Sequence, residues 1–63
     1  MSIENFLRRW STVDITDDNA FLFEENLVGV RAIAAPKERA LLEGVTRHTS
    51  RKEFAERYKR MLK

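Results

Sequence analysis

The sequence predicts a small α+β domain, ordered α-β-β-β-α-α, in which a three-stranded antiparallel meander lies between helices. Apolar residues recur every three or four positions near both ends of the chain, which is typical of amphipathic helices. Between them, over residues 13–34, apolar residues alternate with a period of two, which indicates strands. At 63 residues the chain has the length of one small domain, residues 1–63. An all-α bundle of about four helices is the alternative.

The first segment is predicted to be a helix. Ser2 is a suitable N-cap, and Ser11 and Thr12 end the segment weakly. Glu4 precedes Arg8 by four residues, the favourable direction for an ion pair on an exposed helix face. The expected core positions share one face: Ile3, Phe6, Leu7 and Trp10.

The middle of the chain fits three strands. Residues 13–16 alternate in polarity, and residues 17–19 read Asp-Asp-Asn, a turn composition. A second turn at residues 25–26 lacks the glycine that two-residue hairpins prefer. The residues expected on one side of the sheet are Phe21, Phe23, Val28, Val30 and Ala32.

The same segment also fits one long helix capped by Thr16 or Asp17. Two features argue against that helix. It places Phe21 and Val28 on the face opposite the core, and it places Gly29 in mid-helix at a cost of about 1 kcal/mol. The apolar stripe of this alternative has heptad-like spacing: Ala20, Phe23, Leu27, Val30 and Ala34.

Two further helices are predicted in the C-terminal third. Pro36 suits the first position of a short helix over residues 37–43 that ends at Gly44. Ser50 and Glu53 have the spacing of a capping box, which opens the last helix. The residues expected to share its apolar face are Phe54, Tyr58, Met61 and Leu62, with Ala55 at the edge.

Charge is divided by position. Residues 1–44 contain eight acidic and five basic residues, and residues 45–63 contain seven basic and two acidic residues. A basic tail indicates an anionic partner, either nucleic acid or an acidic protein surface. Glu53 with Arg57 and Glu56 with Arg60 could instead form ion pairs on a solvated face. The residues predicted to bind nucleic acid are Arg47, Arg51, Lys52, Arg57, Lys59 and Arg60.

The catalytic and metal-binding inventory is small. His48 is the only histidine and there is no cysteine, so a nucleophile with its base and orienting acid cannot be assembled credibly. Asp14 to Glu25 has partial EF-hand spacing, but Asn19 stands where that loop needs glycine. We therefore expect no enzyme activity, no metal and no cofactor. The lack of cysteine fits a reducing compartment, so we expect a cytoplasmic protein.

The composition predicts a non-enzymatic binding protein. The leading hypothesis is a small regulator that binds nucleic acid through its basic C-terminal helix. The alternative is a protein–protein interaction module or inhibitor that acts through apolar residues outside the core, such as Leu22, Leu27 and Val28. A chain of this length without disulfides has marginal stability, so we expect a homo-oligomer, and we expect no membrane partner because no long apolar run is present.

Overall fold

The computed structural model describes residues 2–63, and these form four helices without a strand. The helices are α1 (Ile3–Trp10), α2 (Ala20–Ile33), α3 (Pro36–Leu42) and α4 (Arg51–Met61). Helix α1 packs most extensively against α4, and it also contacts α2, while α3 packs on α4. The all-α alternative therefore fits, and the predicted α+β fold with a three-stranded meander is wrong.

Helix α2 replaces the last two predicted strands. Its stripe of Ala20, Phe23, Leu27 and Val30, continued by Ala34, is buried. Burying the three larger side chains, Phe23, Leu27 and Val30, stabilises a fold by about 1.5–3 kcal/mol each, which exceeds the cost of about 1 kcal/mol for a mid-helix Gly29. The alternation with a period of two is real, but in short apolar runs it does not separate strand from helix.

The predicted first strand is an irregular segment held by one side chain. The Asn19 side chain accepts a hydrogen bond from the Thr16 backbone N–H at 2.7 Å and donates one to the Asp14 carbonyl at 2.8 Å. These bonds satisfy backbone groups that a strand would have paired with a neighbour. Residues 17–19 form the predicted turn, and α2 begins immediately after it.

Helix α1 matches its prediction. The Ser2 Oγ accepts from the Asn5 backbone N–H at 3.1 Å, which is the expected N-cap. At the other end, the Ser11 hydroxyl donates to the Arg8 carbonyl at 2.6 Å. Arg8 does not pair with Glu4 in the described residues; its guanidinium donates to the Asn5 side-chain oxygen at 2.7 Å.

Four aromatic rings form the centre of the core. Phe6, Trp10, Phe23 and Phe54 are all buried, and their contacting ring centroids lie 5.2–6.0 Å apart in tilted or edge-on pairs. Such pairs add about 0.5–1.5 kcal/mol each beyond their burial. Trp10 Nε1 has no hydrogen-bond partner in the described residues. The rings come from three helices, so the core joins α1, α2 and α4.

The C-terminal helices begin and end close to their predicted residues. Pro36 opens α3, and the Glu38 carboxylate accepts from the Ala35 backbone N–H at 3.0 Å. Gly44 follows α3 with φ of 75°, a conformation that favours glycine. The Ser50 Oγ caps α4 by accepting from the Glu53 N–H at 3.1 Å. Leu62 was expected on the apolar face of α4, but α4 ends at Met61 and the Leu62 side chain is 60% exposed.

Candidate interaction surfaces

Arg57, one of the predicted nucleic-acid contacts, is tied into the fold. Its Nη1 donates to the carbonyl oxygens of Leu41 at 2.7 Å and Glu43 at 2.9 Å. Its Nη2 lies 3.1 Å from the Glu53 carboxylate, which confirms that predicted ion pair, and the side chain is only 12% exposed. These carbonyls lie at the C-terminal end of α3, where a cation is stabilising. Arg57 therefore joins α3 to α4.

Two more of the predicted contacts form ion pairs with the loop that precedes α2. Arg47 Nη2 lies 2.8 Å from the Asp17 carboxylate, and Arg51 Nε lies 2.9 Å from the Asp14 carboxylate. All four side chains are more than 40% exposed, so each pair contributes little to stability. The pairs do neutralise part of the basic tail.

The remaining cations of the basic tail lie on α4 or just after it, and we call them the basic face: Lys52, Lys59, Arg60 and Lys63. All four are exposed and form no ion pair within residues 2–63. The predicted ion pair between Glu56 and Arg60 is therefore not formed within residues 2–63. Lys52 and Lys59 are seven residues apart, about 10 Å along the helix. Arg60 and Lys63 also border an open groove of about 320 Å³ that includes Lys37.

A second surface lies on the outer side of α2, opposite the core. We call it the α2 apolar face; its large residues are Phe21, Leu22, Val28 and Ile33, and Ala32 lies among them. Phe21 is 78% exposed, Val28 66% and Ile33 56%. The largest apolar patch on a monomer typically measures about 300–600 Å² and is often functional, so this face is a candidate interaction site. Leu27, which was predicted to belong to such a surface, is instead in the core at 3% exposure.

The described residues offer little for chemistry. The His48 side chain is exposed in the loop between α3 and α4, and the Ser50 hydroxyl acts as a helix cap. Residues 2–63 contain no group of three His, Asp, Glu or Cys residues placed to hold a metal ion. None of the four described helices has the length and apolar character needed to cross a bilayer.

The comparisons with known proteins add no relative. The sequence matches no protein-family model, and no curated protein or solved structure is significantly similar to it.

Three of the four large residues of the α2 apolar face were indicated by the sequence. Leu22 and Val28 were predicted to lie outside the core, and a helix was expected to leave Phe21 and Val28 opposite the core, which counted against that helix. Ile33 was not predicted. The missed signal is the spacing of Phe21, Val28 and Ala32, which are seven and four residues apart and so share one helix face.

Proposed function

We propose that this protein is a non-enzymatic interaction module that binds a second protein chain through the α2 apolar face. The observation that carries the proposal is the exposure of Phe21 and Val28 beside a core that is complete without them. A phenyl ring left in water forgoes about 1.5–3 kcal/mol of burial. Aromatic residues are also enriched in the buried centres of protein interfaces.

The chemistry of α2 supports the same proposal. A helix with apolar residues on both sides is typically covered on both sides. The inner stripe of α2 packs in the core, whereas its outer stripe has no cover within residues 2–63. The charged residues of α2 are few and lie beside the stripe or between its members: Glu24, Glu25 and Arg31. A second chain would complete the burial of this helix.

Site-specific photocrosslinking in the native host tests the proposal. A photoreactive phenylalanine analogue replaces Phe21 in one variant and Leu62 in a matched control, because Leu62 is also apolar and is 60% exposed just after the end of α4. We expect a discrete crosslinked protein product from position 21, lost when Val28→Asp is added, and none from position 62. Equal products from both positions, or no product from position 21, would contradict the proposal.

A second candidate function is nucleic-acid binding by the basic face. It is favoured by four exposed cations, on and just after one helix, that have no ion-pair partner within residues 2–63. Of the six residues predicted from sequence, Lys52, Lys59 and Arg60 belong to this face. The other three, Arg47, Arg51 and Arg57, already have acidic or carbonyl partners. We therefore rank this function below protein binding.

A further inference from the structure

The α2 apolar face has a central line with two flanks. At 100° per residue, Phe21, Val28 and Ala32 project within about 40° of one another and form the line. Leu22 and Ile33 lie on one flank, and Glu24 and Arg31 lie on the other. One flank is thus apolar, and the other carries one charge of each sign.

Both flanks are symmetric about the same point of the helix. Leu22 and Ile33 lie at equal distances from the midpoint between Leu27 and Val28, and so do Glu24 and Arg31. A two-fold axis perpendicular to a helix reverses its direction and leaves each flank on its own side. An antiparallel pair of α2 helices about that midpoint would therefore place Leu22 beside Ile33 of the second copy. It would likewise place Glu24 beside Arg31 of the second copy.

The charges of that flank are available for such a contact. Glu24 and Arg31 are exposed and take part in no ion pair within residues 2–63. Arg31 makes one long hydrogen bond, 3.4 Å from Nη2 to the Val45 carbonyl, and a guanidinium has four further N–H donors. A carboxylate of a second copy could accept from these donors.

The area of the face suits a modest dimer. From the exposed fractions of its four large apolar residues, the face presents on the order of 400 Å² of apolar surface. With the charged flank included, each copy would bury roughly 600 Å², near the lower end of specific interfaces. Area alone does not set affinity, because hot-spot packing and ordering costs decide it, so the test spans a wide range of concentration.

From these observations we infer that the α2 apolar face pairs with the same face of a second copy, with the two α2 helices antiparallel about a two-fold axis between Leu27 and Val28. This inference rests on the proposed function and names its partner. The contact is isologous, so every residue of the face meets the face of the other copy, which closes the assembly at two chains.

Sedimentation velocity from about 1 µM to 1 mM tests the pairing. We expect a concentration-dependent dimer for the parent protein and for the control Leu62→Ser, which removes an apolar side chain of similar exposure elsewhere. Val28→Asp is expected to sediment as a monomer at every concentration, and its circular dichroism spectrum is expected to show that it stays folded. Glu25→Ala is expected to tighten the dimer severalfold, because Glu25 is the charge that lies within the apolar face. A parent monomer throughout the range, or an unchanged dimer in Val28→Asp, overturns the inference.

A charge exchange tests the antiparallel register. Arg31→Glu and Glu24→Arg should each weaken self-association about tenfold, because symmetry makes two repulsive contacts. An equimolar mixture should dimerise as the parent does, since both contacts between positions 24 and 31 then join opposite charges: one is the native Glu24–Arg31 pair and the other is the same pair reversed. A mixture that associates no better than either variant alone overturns the antiparallel register. Thermal melting of both variants and the parent checks that weaker association does not come from unfolding.

The two proposals fail in different ways. If the protein alone stays monomeric and position 21 crosslinks to a different protein, the interaction module stands and the pairing of copies is overturned. If the protein stays monomeric and position 21 gives no product, both are overturned. A crosslink between two copies together with a concentration-dependent dimer supports both.

Discussion

The Arg57 guanidinium donates a hydrogen bond of 2.7 Å to the carbonyl oxygen of Leu41, sixteen residues earlier in the chain. The same nitrogen reaches the Glu43 carbonyl, so one side chain holds the C-terminal end of α3 against α4. A carbonyl at a helix end has lost its intrahelical partner, and a buried cation satisfies it better than a neutral donor does. A residue predicted to bind phosphate thus stabilises the fold.

Replacing Arg57 should therefore lower stability. Hydrogen bonds from a charged donor contribute about 1.5–3 kcal/mol, so we expect Arg57→Ala to lose about 2 kcal/mol. In a domain of this size that loss lowers the melting temperature by roughly 10 °C. The matched control is Lys59→Ala, an exposed neighbour on the same helix, whose melting temperature should hardly change. Equal melting of both variants would show that Arg57 is dispensable for folding.

Two phenylalanine truncations should differ sharply although the chemical change is the same. Phe54 is fully buried against the rings of Phe6 and Phe23, whereas Phe21 is 78% exposed. Phe54→Ala should cost about 3–5 kcal/mol, which approaches the whole stability of so small a domain. Phe21→Ala should change the stability of the monomer by less than about 0.5 kcal/mol. Urea unfolding at low protein concentration measures both, and a stable Phe54→Ala would place that ring outside the core.

Ser50 and Ser2 should contribute equally as helix caps. Each Oγ accepts from a backbone N–H three residues later at 3.1 Å. Ser50→Ala and Ser2→Ala are each expected to lose roughly 1 kcal/mol, and Gly at either position only a few tenths. Chemical denaturation checks the pair. If Ser50→Ala and Ser2→Ala are as stable as the parent, the capping oxygens do not stabilise these helices.

Gly44 should resist substitution for a backbone reason. Its φ is 75°, and an added Cβ would meet no atom within 4 Å. Gly44→Ala should therefore cost about 1 kcal/mol from the left-handed conformation alone. Gly44→Asn should cost less, because Asn tolerates this conformation. A thermal melt of both variants checks the order, and a more stable Gly44→Ala would contradict it.

Nucleic-acid binding, if the basic face performs it, should depend steeply on salt. Each neutralised phosphate contributes about −0.9 to the slope of log affinity against log salt. We expect Lys59→Ala to reduce the slope of duplex binding by about one unit, and Lys52→Ala to do the same. Asp17→Asn frees Arg47 from its ion pair, so the salt dependence should be as steep as that of the parent or steeper. No binding of duplex or single-stranded DNA at about 50 mM salt removes this function.

The sequence by itself determined the parts of the fold that depend on local signals. Ser2 and Ser50 cap helices, and Pro36 and Gly44 bound α3 as predicted. These signals act within four residues, because a cap or a turn is satisfied by its own neighbours. The two end helices were predictable for the same reason, since each carries one narrow apolar stripe and a polar face.

Only the tertiary structure decided the middle of the chain and the role of the cations. Residues 20–34 carry apolar side chains at both helical and strand spacing, so local pattern favoured neither. The stripe from Phe23 to Val30 decides for the helix because it fits between rings supplied by α1 and α4. Arg57 meets its carbonyl partners only after α3 has docked on α4. Contacts between residues fourteen or more positions apart in the chain depend on how the helices pack, and no local sequence pattern predicts that packing.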